Sequence, residues 1–397
     1  MRTEVCERFG IEFPLFAFSH CRDVVAAVTN AGGFGVLGAV AYTPARLEEE
    51  LRWIDDHVGG RPYGVDVLVP GKIDMAGVRP RMGDGESTAA ERAGRGEGGL
   101  DTMLAAVPEE HWTFLAGLFE KYEVPLPDFE KAKKTRDAES MGAQVTKEGA
   151  TALIDVSLAH PIGLIASALG TPPPVMVEKA KAAGVPVAAL VGTAEHARRQ
   201  VAAGVDLIVA QGGEAGGHTG EISTMVLVPE VVDTVAPIPV LAAGGIATGR
   251  QMAASMALGA AGVWCGSVWL TTEEAETPPH VKAKMIAAGS RDTIRSRSRT
   301  GKPARQLKSA WTDEWEGPAS PGSLGMPLQM IVAEGAMRQI NKVAESGNEG
   351  ARELANYFVG QCVGLMNTVK PARQVVYDMI EEFAGAVDRL NTITEAD

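Results

Sequence analysis

Short apolar runs of five to seven residues recur along this chain, each followed by a stretch with helical spacing. That alternation constrains the fold more than any other feature. The pattern predicts strands over residues 15–19, 35–39, 63–69, 153–158, 187–191, 207–211, 239–243 and 262–266. It predicts helices between them, including 22–31, 44–57, 140–150, 174–183, 194–203, 229–235 and 249–258. Strands this short and apolar are buried on both faces, and strands joined by helices pair in parallel. Eight such units favour a closed (β/α)₈ TIM barrel over an open sheet. An open dinucleotide-binding sheet more often starts on a glycine-rich first turn, whereas here the first turn reads Phe18-Ser19-His20-Cys21.

The rhythm breaks twice. Residues 71–138 are polar, glycine-rich and charged, with a helical stretch near 109–122. They read as an insertion after the third strand, either a lid over the site or a surface loop. The chain also continues well past the eighth strand, with helical stretches at about 327–345, 349–359 and 371–390. The expected organisation is a barrel from 1–70 and 139–305, an inserted segment 71–138, and a helical extension 306–397 packed on its outside.

Composition excludes several classes. A formal net charge of −13 disfavours phosphate backbones and anionic membranes, so neither nucleic acid nor a membrane is an expected partner. No run reaches the roughly 18 apolar residues a membrane span requires. The four cysteines, Cys6, Cys21, Cys265 and Cys362, form no C-x-x-C pair, which argues against a disulfide framework or zinc site and for a cytoplasmic location.

Barrel enzymes keep their chemistry at the C-terminal ends of the strands. After the sixth run comes Gln211-Gly-Gly-Glu-Ala-Gly-Gly-His218-Thr-Gly, where glycines allow a flat ligand to approach and the imidazole titrates near neutrality. After the seventh comes Gly244-Gly245, and after the eighth Trp264-Cys265-Gly266-Ser267. Loops in those two places form the usual barrel phosphate site. His20 and His160 fall at predicted strand ends and either line a substrate pocket or are hydrogen-bonded structural residues. No H-x-H pair or carboxylate cluster points to a metal. Arg295 to Arg305 carries five basic residues and reads as a solvated loop, or as a site for an anionic substrate or a pyridine-nucleotide phosphate.

The run from Gln211 to Gly220, with Gly244-Gly245-Ile246, Gly266-Ser267 and Ala27–Gly38, resembles the nitronate monooxygenases. The resemblance spans about 12–70 and 150–305. It implies an FMN lying across the barrel mouth, with Gln211, Gly216 and Gly217 near the flavin. It places Gly244, Gly245 and Trp264 to Ser267 around the phosphate. His218 would be the base that removes a proton from the carbon bearing a nitro group, after which FMN and O₂ complete oxidation to a carbonyl compound and nitrite. Two departures stand out. Ala17-Phe18-Ser19-His20 replaces the usual Ala-Pro-Met beside the flavin, and Asp66 replaces an asparagine at the end of the third strand. They put Ala17, Phe18 and Asp66 beside the cofactor, with Ser19, His20 and His160 at the substrate pocket. The same superfamily includes NAD(P)H-dependent enoyl-acyl-carrier-protein reductases and NADH:quinone reductases. A flavin-free sugar-phosphate isomerase or lyase would use the same loops. The expected partners are a small-molecule substrate with O₂ or NAD(P)H, and a homodimer is compatible with the sequence.

Overall fold

The structure, a computed structural model, describes residues 1, 3–68, 99–126, 147–167 and 170–394. A short helix α1 (Glu4–Phe9) precedes the first strand–helix units: β1 (Leu15–Ser19), α2 (Arg22–Asn30), β2 (Phe34–Gly38), α3 (Pro44–His57) and β3 (Gly64–Val67). The chain continues through α4 (Gly99–Ala106), α5 (Glu109–Lys121), α6 (Lys147–Leu158), β4 (Leu164–Ser167), α7 (Pro174–Ala182), β5 (Val187–Val191), α8 (Ala194–Ala202) and β6 (Leu207–Gln211). A two-residue strand β7 (Gly217–His218) leads into α9 (Thr224–Val235), β8 (Val240–Ala243), α10 (Gly249–Ala257) and β9 (Gly262–Cys265). Then come α11 (Pro279–Ala287), β10 (Thr293–Ser296), β11 (Ala304–Leu307), α12 (Ala310–Trp315), α13 (Leu328–Glu345), α14 (Glu349–Leu354) and α15 (Ala372–Thr394).

Eight parallel strands close in the order β1-β2-β3-β4-β5-β6-β8-β9, with β9 pairing back to β1 through Leu15↔Val263, Phe16↔Trp264 and Ala17↔Cys265. Alternate residues point to opposite faces of each strand. Phe16, Phe34, Leu164, Leu207 and Leu241 fill the interior, while Leu15, Leu37, Val65, Ile165 and Ile208 pack under the helices. Helix α1 plugs the N-terminal end. Phe9 meets Phe16 and Phe34 edge-on, at ring-centroid distances of 5.4 and 5.3 Å, and its burial is worth about 1.5–3 kcal/mol.

The fourth strand is not where the sequence places it. Residues 153–158 belong to α6, and the strand is Leu164–Ser167. The buried residues Ala150, Leu153, Ile154 and Ser157 recur at helical spacing, and the Ser157 hydroxyl donates to the Leu153 carbonyl one turn back. Six residues are too few for an apolar run to separate a buried strand from a buried helix face. Of the helix expected over 140–150, residues 140–146 lie outside the described residues and the remainder opens α6.

The tail is corrected as well. Helix α15 packs between α10 and α2, the place of the eighth barrel helix. A Cβ on Gly249 would lie 1.8 Å from the Met379 carbonyl oxygen, so only glycine lets α10 and α15 come this close. Residues 267–371 therefore form an excursion between strand eight and its helix, and the extension expected from 306 onward ends before residue 372. That excursion shares a second core with α4 and α5, built on Phe119, Trp311, Trp315, Leu328, Val332 and Val359. His111 of α5 hydrogen-bonds the Gly322 carbonyl, and Lys121 and Tyr122 both reach Glu314. The described part of the segment expected as a lid or loop is thus packed structure. Its residues 71–98 and 127–138 lie outside the described residues.

Candidate active site

Inward-facing side chains shrink toward the C-terminal mouth: Phe34 gives way to Gly38 on β2, Leu164 to Ala166 on β4, and Leu241 to Ala243 on β8. This taper leaves room above a floor made by Trp264 and Phe18, whose rings stack at 6.4 Å. Asp66 stands in this ring, paired in register with Gly38 and Ala166. It is 3% exposed and has no hydrogen-bond partner among the described residues. Burial raises its carboxyl well above the usual carboxylate range.

The loop from β6 to α9 is held from three sides. Glu214 turns back and accepts from the backbone N–H and hydroxyl of Thr224, satisfying a donor at the start of α9. Arg305 donates from Nε and Nη2 to the Gly213 carbonyl, at 3.0 and 2.8 Å. Gly216 lies so close to the backbone of Val359 and Gly360 that a Cβ there would come within 2.8 Å of it. Beyond these anchors β7 pairs antiparallel with β11, and β11 with β10, forming a small sheet that sets Ala304 opposite His218.

His218 Nε2 lies 2.8 Å from the Thr300 hydroxyl, which is also within hydrogen-bond distance of the Lys302 carbonyl at 3.2 Å. With that hydroxyl donating to Lys302, the pattern assigns the imidazole proton to Nε2 and leaves the Nδ1 lone pair free to accept one. Burial, and then the charge of Lys302, push His218 down to about 4, so it is neutral at physiological pH.

The two late loops form an anion cradle. Gly244 and Gly245 adopt φ of 106° and 72°, a conformation that favours glycine. The backbone N–H groups of Gly245, Ile246, Gly266 and Ser267 find no acceptor among the described residues. Donors without protein partners at a concave site are ready to hold an anion. Ser267 Oγ accepts from Gly360 N–H at 2.8 Å and also lies within hydrogen-bond reach of the Cys362 thiol.

The structure thus brings Gln211, Gly216, Gly217, His218, Gly244, Gly245, Gly266, Ser267, Asp66, Phe18 and the Trp264 ring to one end of the barrel. Ala17 and Cys265 face the helix layer, so only their backbone can approach a ligand. The Ser19 hydroxyl accepts from Cys21 N–H and shapes the turn into α2. His20 stays on the mouth side, its Nδ1 donating to the Gly38 carbonyl, and burial lowers its pKa. His160 is displaced altogether. It precedes β4 rather than following a strand, which puts it at the N-terminal rim. There it bonds Asp55 at 2.6 Å and Glu48 at 2.9 Å, far from the pocket expected of it.

The basic stretch is not a solvated loop, since it runs from the end of β10 through the turn into β11, the hairpin docked on His218. Lys302 belongs to the basic stretch that the sequence offers as an anion site, whereas nothing in the sequence singles out Thr300, Gly360 or Gln361. Gln361 N–H donates to the Glu214 carbonyl, so the distant tail fastens the histidine loop. Only the proximity of the basic run to the eighth strand hinted at any of this.

A closed (β/α)₈ barrel with unsatisfied N–H donors in its last two loops and a neutral histidine at the same mouth has the make-up of a barrel enzyme site. A nitronate monooxygenase family model matches residues 113–382. The chain is 57% identical over its full length, and that of its relative, to a putative monooxygenase, Rv1533, of Mycobacterium tuberculosis. It is 27% identical to a probable nitronate monooxygenase of Staphylococcus aureus (strain Newman), over 96% of this chain and 97% of the other. It is also similar to the crystal structure of a nitroalkane oxidase from Streptomyces ansochromogenes, with TM-score 0.74, 26% identity, and coverage of 97% of this chain and 99% of the other. The FabK structure from Thermotoga maritima matches with TM-score 0.67 and 25% identity, over 99% of each chain. The chain belongs to the nitronate monooxygenase family, a family of flavin-dependent oxidoreductases. The matched region runs through most of the tail, further than the sequence motifs alone reach. The four N–H groups without acceptors among the described residues, and the tapered mouth, fit the phosphate and flat ring of a flavin nucleotide.

Proposed function

We propose that this enzyme binds FMN and oxidises carbon acids activated by a nitro group, with His218 as the base. The observation that carries the reading is the neutral His218, held by Thr300 beside an anion cradle whose N–H donors lack acceptors among the described residues. Gly245, Ile246, Gly266 and Ser267 would hold the phosphate, while Gln211, Gly216, Gly217, Phe18, Asp66 and Trp264 would frame the ring. His218 takes the proton from the carbon bearing the nitro group, and the resulting imidazolium pairs with the nitronate anion beside it. A flavin held there would supply the redox chemistry that carries the anion's electrons to O₂, giving a carbonyl compound and nitrite. The second core touches the histidine loop through Val359 to Gln361 and braces it. The four cysteines are free and buried, which suits a cytoplasmic enzyme.

The test is anaerobic mixing of the purified yellow protein with propionate 3-nitronate, and separately with NADH. Bleaching of the flavin by the nitronate alone is expected. Bleaching by NADH alone would replace this reading with that of an NAD(P)H-dependent enoyl reductase. For a variant, His218→Asn should keep its flavin and lose about 100-fold or more in kcat/KM for neutral nitroethane. It should retain most activity with the pre-ionised ethyl nitronate, which needs no base.

A further inference from the structure

Of the basic side chains between Arg295 and Arg305, Arg299 alone is buried, at 4% exposure. Burying a guanidinium is unfavourable unless its charge and its N–H groups are both met. Here the partners come from far along the chain. Arg299 Nη2 donates to Glu334 Oε1 on α13 at 2.6 Å, and Nη1 donates to the side-chain and backbone carbonyls of Asn356 at 3.3 and 3.4 Å. The guanidinium carbon also lies 5.0 Å from the centroid of the Phe358 ring. Asn356 is itself fixed, donating from Nδ2 to the Leu307 carbonyl at the end of β11.

The residues on either side are clamped by the same core. The Ser298 carbonyl accepts from Gln329 Nε2 of α13 at 2.8 Å. A Cβ on Gly301 would lie 2.4 Å from the Leu324 carbonyl oxygen, so the turn runs directly against that backbone. Thr300 follows Arg299 in the chain, and its hydroxyl is the one that meets His218 Nε2. The turn between β10 and β11 is thus gripped by α13 on one side and bonded to the imidazole on the other. Loss of Glu334 would leave the Arg299 charge buried and uncompensated. Moving the turn toward water relieves that state and draws Thr300 off His218.

We propose that the Arg299–Glu334 ion pair positions the base, and that through it helix α13 of the excursion holds Thr300 against His218. Its part in the reaction rests on the reading of His218 as the base, whereas the positioning itself does not. Two influences keep the imidazole neutral, its burial and the charge of Lys302 on the same turn, and release of the turn weakens both. The other cations beside the histidine loop, Arg295 and Arg305, are held separately by Glu221 and by Gly213 and Thr293.

The test reads the flavin-loaded enzyme twice, once without turnover. By NMR of ¹³C-labelled histidine, with the His218→Asn spectrum supplying the assignment, the wild-type imidazole should stay neutral down to about pH 5. Glu334→Ala should raise its titration midpoint by about one pH unit or more. Glu334→Gln removes the same charge but keeps an acceptor for Nη2, and should titrate as wild type does. Arg299→Lys, which cannot fork between two partners, should shift as Glu334→Ala does and carries the test if that variant fails to fold. In steady-state kinetics, Glu334→Ala should lower kcat/KM for nitroethane about threefold or more and that for ethyl nitronate less than about twofold. In a Thr300→Val background it should add less than about twofold, because both changes act through one contact. An unshifted imidazole, an equal shift in Glu334→Gln, or losses that multiply in the double variant overturns the proposal. If His218→Asn leaves nitroethane turnover intact while Glu334→Ala still shifts the imidazole, the base reading falls and the positioning stands.

Discussion

At the scale of single residues, burial and partners decide which titratable groups can act. His218 is neutral because its surroundings are dry and a lysine stands nearby, so it should remain a competent base as pH falls through the ordinary histidine range. The kcat/KM profile for a neutral nitroalkane is expected to stay flat from neutrality down to about pH 5 and to fall with a limb near 4, where His218 is protonated in the free enzyme. A limb near 6.5 would mean that the imidazole is solvated. His160 behaves oppositely. Burial lowers its pKa, but hydrogen bonds to Asp55 and Glu48 outweigh this and raise it above the ordinary 6.5. A histidine whose folded-state pKa is raised contributes stability that is fully present below 6.5 and lost as pH rises through the folded value. His160→Ala should therefore cost about 1–3 kcal/mol at pH 6 and less at pH 9, with kcat unchanged. Paired thermal melts at the two pH values read this out.

At the scale of elements, the hairpin β10–β11 converts a flexible glycine loop into a positioned one. Its links to the loop are the Gly217–His218 pairing, the Arg305 fork on Gly213 and the Thr300 bond to the imidazole. Thr300→Val removes the last link while keeping side-chain volume, and should lower kcat for neutral nitroalkanes by about tenfold, within the range general-base alignment contributes. Ethyl nitronate turnover should change little, and steady-state kinetics on the two substrates separates the outcomes. The hairpin was hidden in the sequence because its strands are only four residues long and rich in arginine, a composition that also suits a solvated loop. The misread fourth strand shows a related limit. Leu153, Ile154 and Ser157 satisfy a helix face over too short a window to be told from a strand, and that one error carried His160 to the wrong end of the barrel.

At the scale of the whole molecule, the chain leaves the barrel after β9 and returns more than one hundred residues later to supply its eighth helix. Truncation before α15 should therefore leave α10 and α2 without their common neighbour and yield insoluble or non-cooperatively unfolding protein. Gly249→Ala is the milder test. Its methyl would press on the Met379 carbonyl and should destabilise by about 1–3 kcal/mol or more, as overpacking does, measured by denaturant unfolding. The same excursion explains how Gly360 and Gln361 come to brace a loop nearly 150 residues earlier in the chain.

Local chemistry was enough to determine much of this protein. Apolar runs of strand length separated by amphipathic helices imply a parallel barrel, and seven of its eight strands are where that spacing puts them, because each buries its own residues against its own neighbours. Glycines that permit positive φ likewise marked the late loops and the histidine loop. What the tertiary structure alone decided is the partnership across distance. It set Thr300 and Lys302 against His218, Gly360 against Ser267, α15 against α10, and His160 against Asp55 at the opposite rim. Those contacts depend on which surfaces meet once the barrel has closed, and no local periodicity records that.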